Sequence, residues 1–217
     1  DVGAVSFNAR LDSNGAISVF SGEEIIFNGQ VGSDSVLRPA ALSVGALGAI
    51  AFQTTASVNL NSTVALVVER ATTVTFRSIV NEGSVTIGAT GMVSDNVNFA
   101  GTLATASLFV ITSGAEATAS FGTVWIGAGG AVITANNIDF LAGRQVTPTS
   151  AAATLTLKPF DVSRAVGIGN QHQAPGAFLD LGVTDLLAIK SGFQSVQFGD
   201  ALAGTGTVYI GYLGSVQ

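Results

Sequence analysis

Apolar residues alternate with polar or small residues in short runs along almost the whole chain. In each run two apolar residues stand two positions apart, as at Val5 and Phe7. Because successive side chains of a strand point to opposite faces, such a pair shares one face, and each run predicts a short β-strand. The other pairs are Ile17/Val19, Ile25/Phe27, Val58/Leu60, Leu66/Val68, Val74/Phe76, Val85/Ile87, Val97/Phe99, Leu108/Val110, Val124/Ile126, Ile138/Phe140, Leu155/Leu157, Val166/Ile168, Val196/Phe198 and Val208/Ile210.

Turn-forming residues separate these runs at a regular spacing. The pairs that begin at Val74, Val85, Val97 and Leu108 follow one another at intervals of 11, 12 and 11 residues. The segments NEG, GATG, SDN and TSG stand between or just after them, and Gly, Asn and Asp tolerate the positive φ angles of tight turns. This spacing is typical of short-stranded all-β folds.

Helical periodicity is confined to one segment, GVTDLLAIKSGF at 182–193. There Thr184 is a candidate N-cap and Gly192 a candidate end, so the segment predicts one short helix or 3₁₀ turn. The residues around it, which include Pro175 and the single histidine, His172, form the least regular part of the chain. We expect a loop and short-helix excursion over about 160–193.

A sandwich, a barrel and a solenoid are all compatible with many short strands. The solenoid is favoured because similar strand units continue over the whole length, as in stacked supersecondary repeats. Ala and Gly are also abundant beside the apolar positions, where each coil must fit against its neighbour. At roughly 20 residues and two strand units per rung, we expect about ten rungs and a length on the order of 50 Å. Residues 1–217 are expected to form a single domain, one cassette or segment of a longer or self-assembling chain.

Composition narrows the classes of function. Only 10% of the residues are charged, against roughly 25% in an average soluble domain, so most of the chain should lie on buried faces or in turns. The most apolar stretch, at 41–52, is too short for a membrane-spanning helix. The eight lysines and arginines stand singly in a chain of net charge −6, which argues against nucleic acid as a partner. The absence of cysteine excludes disulfides and thiolate metal sites.

Residues 132–211 carry a more specific pattern. The successive segments VITANNIDFLAG, TLTLKPFDVSRAVGIG and LGVTDLLAIKSGFQSVQFGDALAGTGTVYIG resemble a cassette of filamentous-haemagglutinin-like large exoproteins of bacteria, especially of cyanobacteria. Residues 15–90 look like the preceding part of such a cassette. The resemblance implies a right-handed parallel β-helix in a secreted, cell-surface or extracellular fibrous protein built from tandem cassettes. It supplies no catalytic residues.

The glycine-rich stretch SVQFGDALAGTGTVYIG at 195–211 is the first candidate site. It lacks the G-x-x-x-x-G-K-[ST] pattern, and Gly204 and Gly206 precede a strand rather than the helix whose N-terminus would hold phosphate. We therefore interpret it as the corner between two strands whose apolar pairs face the core. Asp200 in this loop is interpreted as a solvated turn carboxylate, because no calcium-binding repeat surrounds it.

An enzymatic alternative would be a polysaccharide lyase or hydrolase built on a β-helix. Such an enzyme needs carboxylates roughly 5–10 Å apart, or acidic metal ligands with a basic residue, on one lateral face. The strongest cluster in the sequence is Asp161, Arg164, Asp180, Asp185 and Lys190 together with His172. We expect Asp161 and Arg164 to form a local turn pair and Asp185 to lie in the helical turn.

The remaining candidates also favour structural roles. His172 has neither a second histidine nor a cysteine at ligand spacing and is interpreted as an exposed loop residue. Glu23 and Glu24 are neighbours, so on a strand they would point to opposite faces. The sequon Asn61-Ser62-Thr63 is interpreted as a polar turn. The sequence therefore predicts no catalytic residue, no cofactor-binding residue and no metal ligand.

The leading hypothesis is a structural or adhesive module of an extracellular or cell-surface fibre, without enzymatic activity or cofactor. Its expected partners are other copies or tandem cassettes placed end to end, and surface carbohydrate or a neighbouring cell. The carbohydrate-active enzyme and an antiparallel sandwich that serves as an interaction domain remain the alternatives.

Overall fold

A computed structural model of the chain describes residues 3–32, 37–60, 65–80, 83–88, 90–169 and 178–211. It is nearly all β. The strands are β1 (Val5–Phe7), β2 (Ala16–Ser21), β3 (Ile25–Phe27), β4 (Ala41–Ala46), β5 (Ile50–Val58), β6 (Leu66–Arg70), β7 (Val74–Val80), β8 (Ser84–Ile87), β9 (Val97–Ile111), β10 (Thr118–Thr134), β11 (Asn137–Phe140), β12 (Val146–Pro148), β13 (Thr154–Lys158), β14 (Ala165–Ile168), β15 (Phe178–Leu181), β16 (Ser195–Phe198) and β17 (Val208–Ile210). One helix, α1 (Val183–Ala188), lies between β15 and β16.

The strands stack in parallel and form a β-solenoid, which confirms the predicted fold class. Each turn of the solenoid contributes to three parallel ladders, separated by corners. The pairing of β9 with β10 shows the arrangement within one turn, because it consists of three segments divided by two shifts of register. A long strand that bends at two corners therefore supplies one strand segment to each of the three ladders.

The first ladder is marked by phenylalanine. It runs through β1, β3, β5, β7, the start of β9, the start of β10 and β11. One phenylalanine occupies the same inward position in each strand: Phe7, Phe27, Phe52, Phe76, Phe99, Phe121 and Phe140. The neighbouring rings lie 4.5–5.7 Å apart between centroids, and the first five contacts are nearly parallel stacks. We call this row the phenylalanine column.

The second and third ladders carry aliphatic side chains. The second ladder pairs the backbones of single residues in successive turns: Leu11, Val31, Val58, Ile79, Leu103, Val124, Val146 and Ile189. The third ladder runs through β2, β4, β6, β8, the end of β9, the end of β10, β13 and β16. Its inward positions, such as Leu66 and Val68 in β6, are buried. The core is thus one continuous apolar column along the axis.

The solenoid has about six turns, so the expected ten rungs are wrong. The seven phenylalanines of the column enclose six intervals, and these intervals are 19–25 residues long. Each turn contains three strand segments and three corners, rather than the two strand units that were expected. At about 4.8 Å per turn, six turns give a rod about 29 Å long rather than about 50 Å.

After β13 the order of strands in space no longer follows the order in the chain. β14 pairs with both β15 and β17 and therefore lies between them, although it precedes both in sequence. β15 contacts β11, which places these three strands beyond the end of the first ladder. The expected irregular excursion therefore contains two strands, β14 and β15, as well as the short helix.

The predicted helix is present but shorter than 182–193. Gly182 rather than Thr184 is the N-cap, and Ile189 is the C-cap. The side chain of Asp185, at the third helical position, accepts a hydrogen bond from the backbone N–H of Gly182, which is one half of a capping box; glycine has no side chain to form the other half. Within the described residues, no helix is long and apolar enough to cross a membrane.

Candidate functional site

The glycine-rich stretch forms β16, a loop over residues 199–207 and β17. Gly199 has a φ of +85°, a backbone conformation that residues other than glycine rarely adopt. A Cβ at Gly206 would overlap the carbonyl oxygen of Arg164, because the two backbone segments run in close contact. The glycines are thus needed for a turn and for close backbone packing. Their role in a corner agrees with the interpretation from the sequence.

The strands on either side of this loop belong to different sheets. β16 pairs with β13 in the third ladder, whereas β17 pairs with β14 beyond the first ladder. Their apolar residues lie at inward positions but are not all buried, which corrects the prediction that each pair faces the core. Val196 is 37%, Val208 47% and Ile210 81% exposed, and only Phe198 packs against the buried residues. The inward positions of these strands are exposed because no described turn lies over them.

Asp200 is the anchor of the loop rather than a solvated carboxylate. Its Oδ2 lies 2.8 Å from Nζ of Lys158, at the end of β13, and its Oδ1 accepts the backbone N–H groups of Leu202 and Ala203. The hydrogen bond from Lys158, followed by those two N–H groups, holds the pKa of Asp200 well below its usual range. The carboxylate of Asp200 therefore belongs to a structural ion pair. The local sequence could not show this pair because Lys158 is 42 residues away from Asp200.

A cavity of about 260 Å³ lies between this loop and the segment that precedes β14. Its lining includes Pro159, Val162, Arg164, Val166, Phe198, Asp200 and Val208. Arg164 donates from Nη1 to the carbonyl of Ala115, and its Nε is buried without a partner. The cavity therefore has mainly apolar walls, and the carboxylate of Asp200 in its lining is already paired with Lys158.

The predicted turn pair of Asp161 and Arg164 is present in the backbone, where the N–H of Arg164 donates to the carbonyl oxygen of Asp161 at 2.9 Å, but the two side chains bind other partners. Asp161 Oδ1 accepts hydrogen bonds from the backbone N–H and from the hydroxyl of Ser163, at 2.9 and 2.7 Å. These bonds lower the pKa of Asp161, and the charge of Arg164 contributes least to that shift. Asp161 thus closes its own turn, while Arg164 reaches back to an earlier corner of the solenoid.

Asp185 lies in the helical turn, as predicted. It is half-buried, and its Oδ1 and Oδ2 accept the N–H groups of Phe140 and Gly182 at 2.9 and 3.0 Å. Burial raises the pKa of Asp185, and the negative charges of Asp139 and Asp180 act in the same direction, whereas the two hydrogen bonds oppose the shift. Asp185 therefore fastens α1 to the end of the first ladder.

The structure brings only part of the predicted cluster together. Asp180 stands near Asp185, on the exposed side of β15, and Lys190 donates from Nζ to the carbonyl of Leu187 at the end of α1. Asp161 and Arg164 are held by other partners, and His172 lies outside the described residues. No described group of three or more acidic or histidine residues could hold a metal ion.

The remaining candidates have simple positions. Glu23 and Glu24 lie in the turn before β3 rather than on a strand, and Oε2 of Glu23 accepts the N–H of Ala4. Asn61 and its sequon lie outside the described residues.

Sequence reasoning missed the phenylalanine column. Phenylalanine recurs at intervals of 19–25 residues from Phe7 to Phe140, and this recurrence of one residue type was the available signal.

Comparison with known proteins adds no relative. No protein-family model, curated protein or solved structure matches this chain.

Proposed function

We propose that the chain is a structural or adhesive module of an extracellular or cell-surface fibre. The observation that supports this proposal is the continuous stack of turns, with the phenylalanine column at its centre. In such a stack each turn contacts only its neighbours, so the module is a rigid rod that can be extended by adding turns. Its function would lie in rigidity and reach rather than in chemistry.

The charged residues support the same proposal. The described members of the 161–190 cluster form hydrogen bonds that close turns, begin a helix or join separate segments. Asp200 and Lys158 likewise join the third ladder to the loop that follows it. The charged residues at this end of the rod therefore have structural contacts, as expected for a module whose function is structural.

The location outside the cell is proposed from the resemblance of residues 132–211 to bacterial exoprotein cassettes. The same resemblance suggests a right-handed solenoid and partners of two kinds: copies or cassettes joined end to end, and carbohydrate or proteins of a neighbouring cell. The uncharged outer positions of the ladders, such as Ser43, Thr75 and Thr156, offer a polar lateral surface for the second kind.

Surface proteolysis on intact cells of the source organism tests the proposed location. A protease that cannot enter the cell should remove the protein from intact cells, and an intracellular marker should survive the same treatment. Survival of the protein in intact cells, with digestion only after lysis, would contradict the proposal.

The purified chain should also release no new reducing ends or unsaturated products from a panel of acidic and neutral polysaccharides. Turnover of any of these polymers that is lost in the variant Asp185→Asn, with the fold retained, would favour the carbohydrate-active enzyme instead.

A further inference from the structure

Another cavity, of about 390 Å³, lies at a corner between the first and second ladders. Its walls come from two such corners in successive turns. One corner joins β11 to β12, and the other is α1 with the residues just after it. We call this space the corner cavity. Its lining includes Gly143, Arg144, Gln145, Thr184, Leu187 and Lys190.

The corner cavity brings together two of the eight basic residues of the chain, Arg144 and Lys190. Among the described residues, no side chain pairs with the guanidinium of Arg144, and no acidic residue lines the cavity. Lys190 donates from Nζ to the carbonyl of Leu187 at 3.0 Å, which leaves two of its three N–H groups for a ligand. The cavity therefore has positive charge that the described part of the protein does not neutralise.

Backbone hydrogen bonds hold both basic residues in place. Gly143 has a φ of +73°, and the N–H of Arg144 donates to the carbonyl of Leu141 at 3.0 Å, so this corner is a closed turn. The N–H of Lys190 donates to the carbonyl of Val146 at 2.9 Å, beside the second ladder. The two cations thus stand on fixed backbone before any ligand arrives, which lowers the entropic cost of binding.

The acidic residues near α1 lie outside the corner cavity. The carboxylate of Asp185 already accepts the N–H groups of Phe140 and Gly182. Asp139 and Asp180 occupy exposed positions in β11 and β15, on the strands rather than at the corner. At physiological ionic strength, exposed charges more than about 8 Å apart are largely screened from one another. The net charge of −6 therefore matters less inside the cavity than the two basic residues in its lining.

The rest of the lining is neutral and of two kinds. Gln145 and Thr184 carry an amide and a hydroxyl, and Leu187 is 69% exposed, so its side chain is an apolar wall. Guanidinium and ammonium groups form strong hydrogen bonds with a carboxylate, whereas neutral polar groups and apolar surface suit the hydroxyls and the ring of a sugar. The volume of the cavity lies within the range of small-molecule sites, roughly 300–1,000 Å³.

We propose that the corner cavity binds an acidic sugar, whose carboxylate contacts Arg144 and Lys190 and whose ring packs against Leu187. A free carboxylate or sulfate ion offers the same charge but no ring, so it would use the two cations alone. The inference names a ligand class for the carbohydrate partner in the proposed function and rests on that part of it. It does not depend on the location outside the cell.

Titration of the full chain with digalacturonate, followed by NMR shifts of the backbone amides, tests the proposal. We expect saturable shifts at Arg144 and Lys190. The variants Arg144→Ala and Lys190→Gln should each bind roughly tenfold more weakly or worse, because each loses a charge-assisted hydrogen bond. Arg77→Ala is the matched control, since Arg77 is also an exposed arginine but lies on β7, outside the cavity. It should leave the affinity unchanged, and all three variants should melt like the unmodified chain.

Three further ligands distinguish the sources of binding. The methyl ester of digalacturonate keeps the sugar rings without the charge, whereas acetate and sulfate keep the charge without the rings. All three should bind at least roughly tenfold more weakly than digalacturonate. In addition, Leu187→Ser should weaken the binding of digalacturonate but not that of acetate.

Several results would overturn the proposal. Equal affinity for the methyl ester would show that the two cations do not select the ligand, and equal affinity for sulfate would show that the cavity takes small anions rather than sugars. An absence of saturable shifts would exclude the site. Surface proteolysis is independent of all these titrations, so the proposed location and the sugar site can fail separately.

Discussion

At the scale of single residues, the most distinctive feature of this fold is the phenylalanine column in its core. Six of its rings are buried, and neighbouring rings from Phe7 to Phe121 stack at distances suited to offset aromatic contacts. Aliphatic side chains can fill the same space, but a stack of rings also fixes which strand of one turn lies over which strand of the next. The column therefore contributes to register as well as to burial.

Truncation of a central ring should be costly. Phe76→Ala removes a buried ring that stacks on both Phe52 and Phe99, and we expect it to lower the free energy of unfolding by about 3–5 kcal/mol. Phe20→Ala is the matched control, because Phe20 is 55% exposed on β2, and it should change stability by less than about 1 kcal/mol. Urea unfolding followed by circular dichroism measures both. Equal losses in the two variants would show that the column has no special role.

The glycines of the 199–207 loop should be sensitive for a different reason. Gly206→Ala places a methyl group against the carbonyl oxygen of Arg164, which belongs to the backbone and cannot rotate away. We expect a loss of more than about 1 kcal/mol, whereas Gly15→Ala, which meets only a serine hydroxyl at 3.6 Å, should be close to neutral. Thermal unfolding distinguishes the two. A neutral Gly206→Ala would contradict the close packing of the loop on the segment before β14.

At the scale of elements, polar links fasten the irregular end to the regular stack. Lys158 at the end of β13 holds the loop after β16 through Asp200, and Asp185 holds α1 against the end of β11. The buried amide of Asn136 joins two corners, because it donates to the carbonyl of Gly114 and accepts the N–H of Asp161. These links hold together a region in which the order of the strands in space differs from their order in the sequence.

The Asp200 link should show a clear dependence on pH. Because the pKa of Asp200 is lower in the folded chain than the ordinary value of 3.8, the ion pair stabilises the fold fully above that value. Its contribution should be lost as the pH falls from 3.8 towards the folded pKa, since the unfolded chain is protonated first. The variant Asp200→Asn should thus be less stable than the unmodified chain at neutral pH, and the difference should shrink in acid. Urea midpoints across this range measure it, and a difference independent of pH would contradict the assignment.

Asp185 should behave in the opposite way. Its pKa is raised above 3.8 by burial and by Asp139 and Asp180, so its charged form weakens the fold at neutral pH. As the pH falls through the folded pKa, the folded chain takes up a proton before the unfolded chain does, and this penalty is relieved. Carboxyl carbon chemical shifts, assigned with Asp185→Asn, should titrate above 3.8. A midpoint at or below the ordinary value would show that the two N–H bonds outweigh burial.

The sequence was informative about elements and much less so about their partners. The alternating pairs, such as Val85 and Ile87, predict strands because local periodicity determines which residues share a face. The same rule failed for Val208 and Ile210, which alternate equally well but belong to a strand that no described turn covers. Alternation shows that a strand has an apolar side and does not show whether a neighbour lies over it.

Long-range pairing explains the other errors. Asp200 could not be assigned a partner because Lys158 is distant in sequence, and the contact of the Arg164 side chain with Ala115 could not be predicted for the same reason. The number of turns was overestimated because the whole chain was divided into rungs of roughly 20 residues. The observed turns are indeed 19–25 residues long, but the six of them end at Phe140, and the residues after it do not continue the phenylalanine column. The recurrence of phenylalanine was the one long-range signal that the sequence contained.

At the scale of the whole molecule, the chain is a quasi-one-dimensional stack. Most long-range contacts join strands of adjacent turns, so each turn is stabilised by the turns above and below it. This arrangement suits a module that transmits tension or holds a binding surface at a distance.

Stretching single molecules between their two ends tests whether the chain is a rigid rod of stacked turns. We expect a series of separate extension steps, each of which releases one turn of 19–25 residues. Fully extended, such a turn corresponds to roughly 65–90 Å of added length per step. The Phe76→Ala variant should yield at lower force in the middle of the series. A single release of the whole chain, or smooth extension without steps at low force, would show that the turns do not form such a rod.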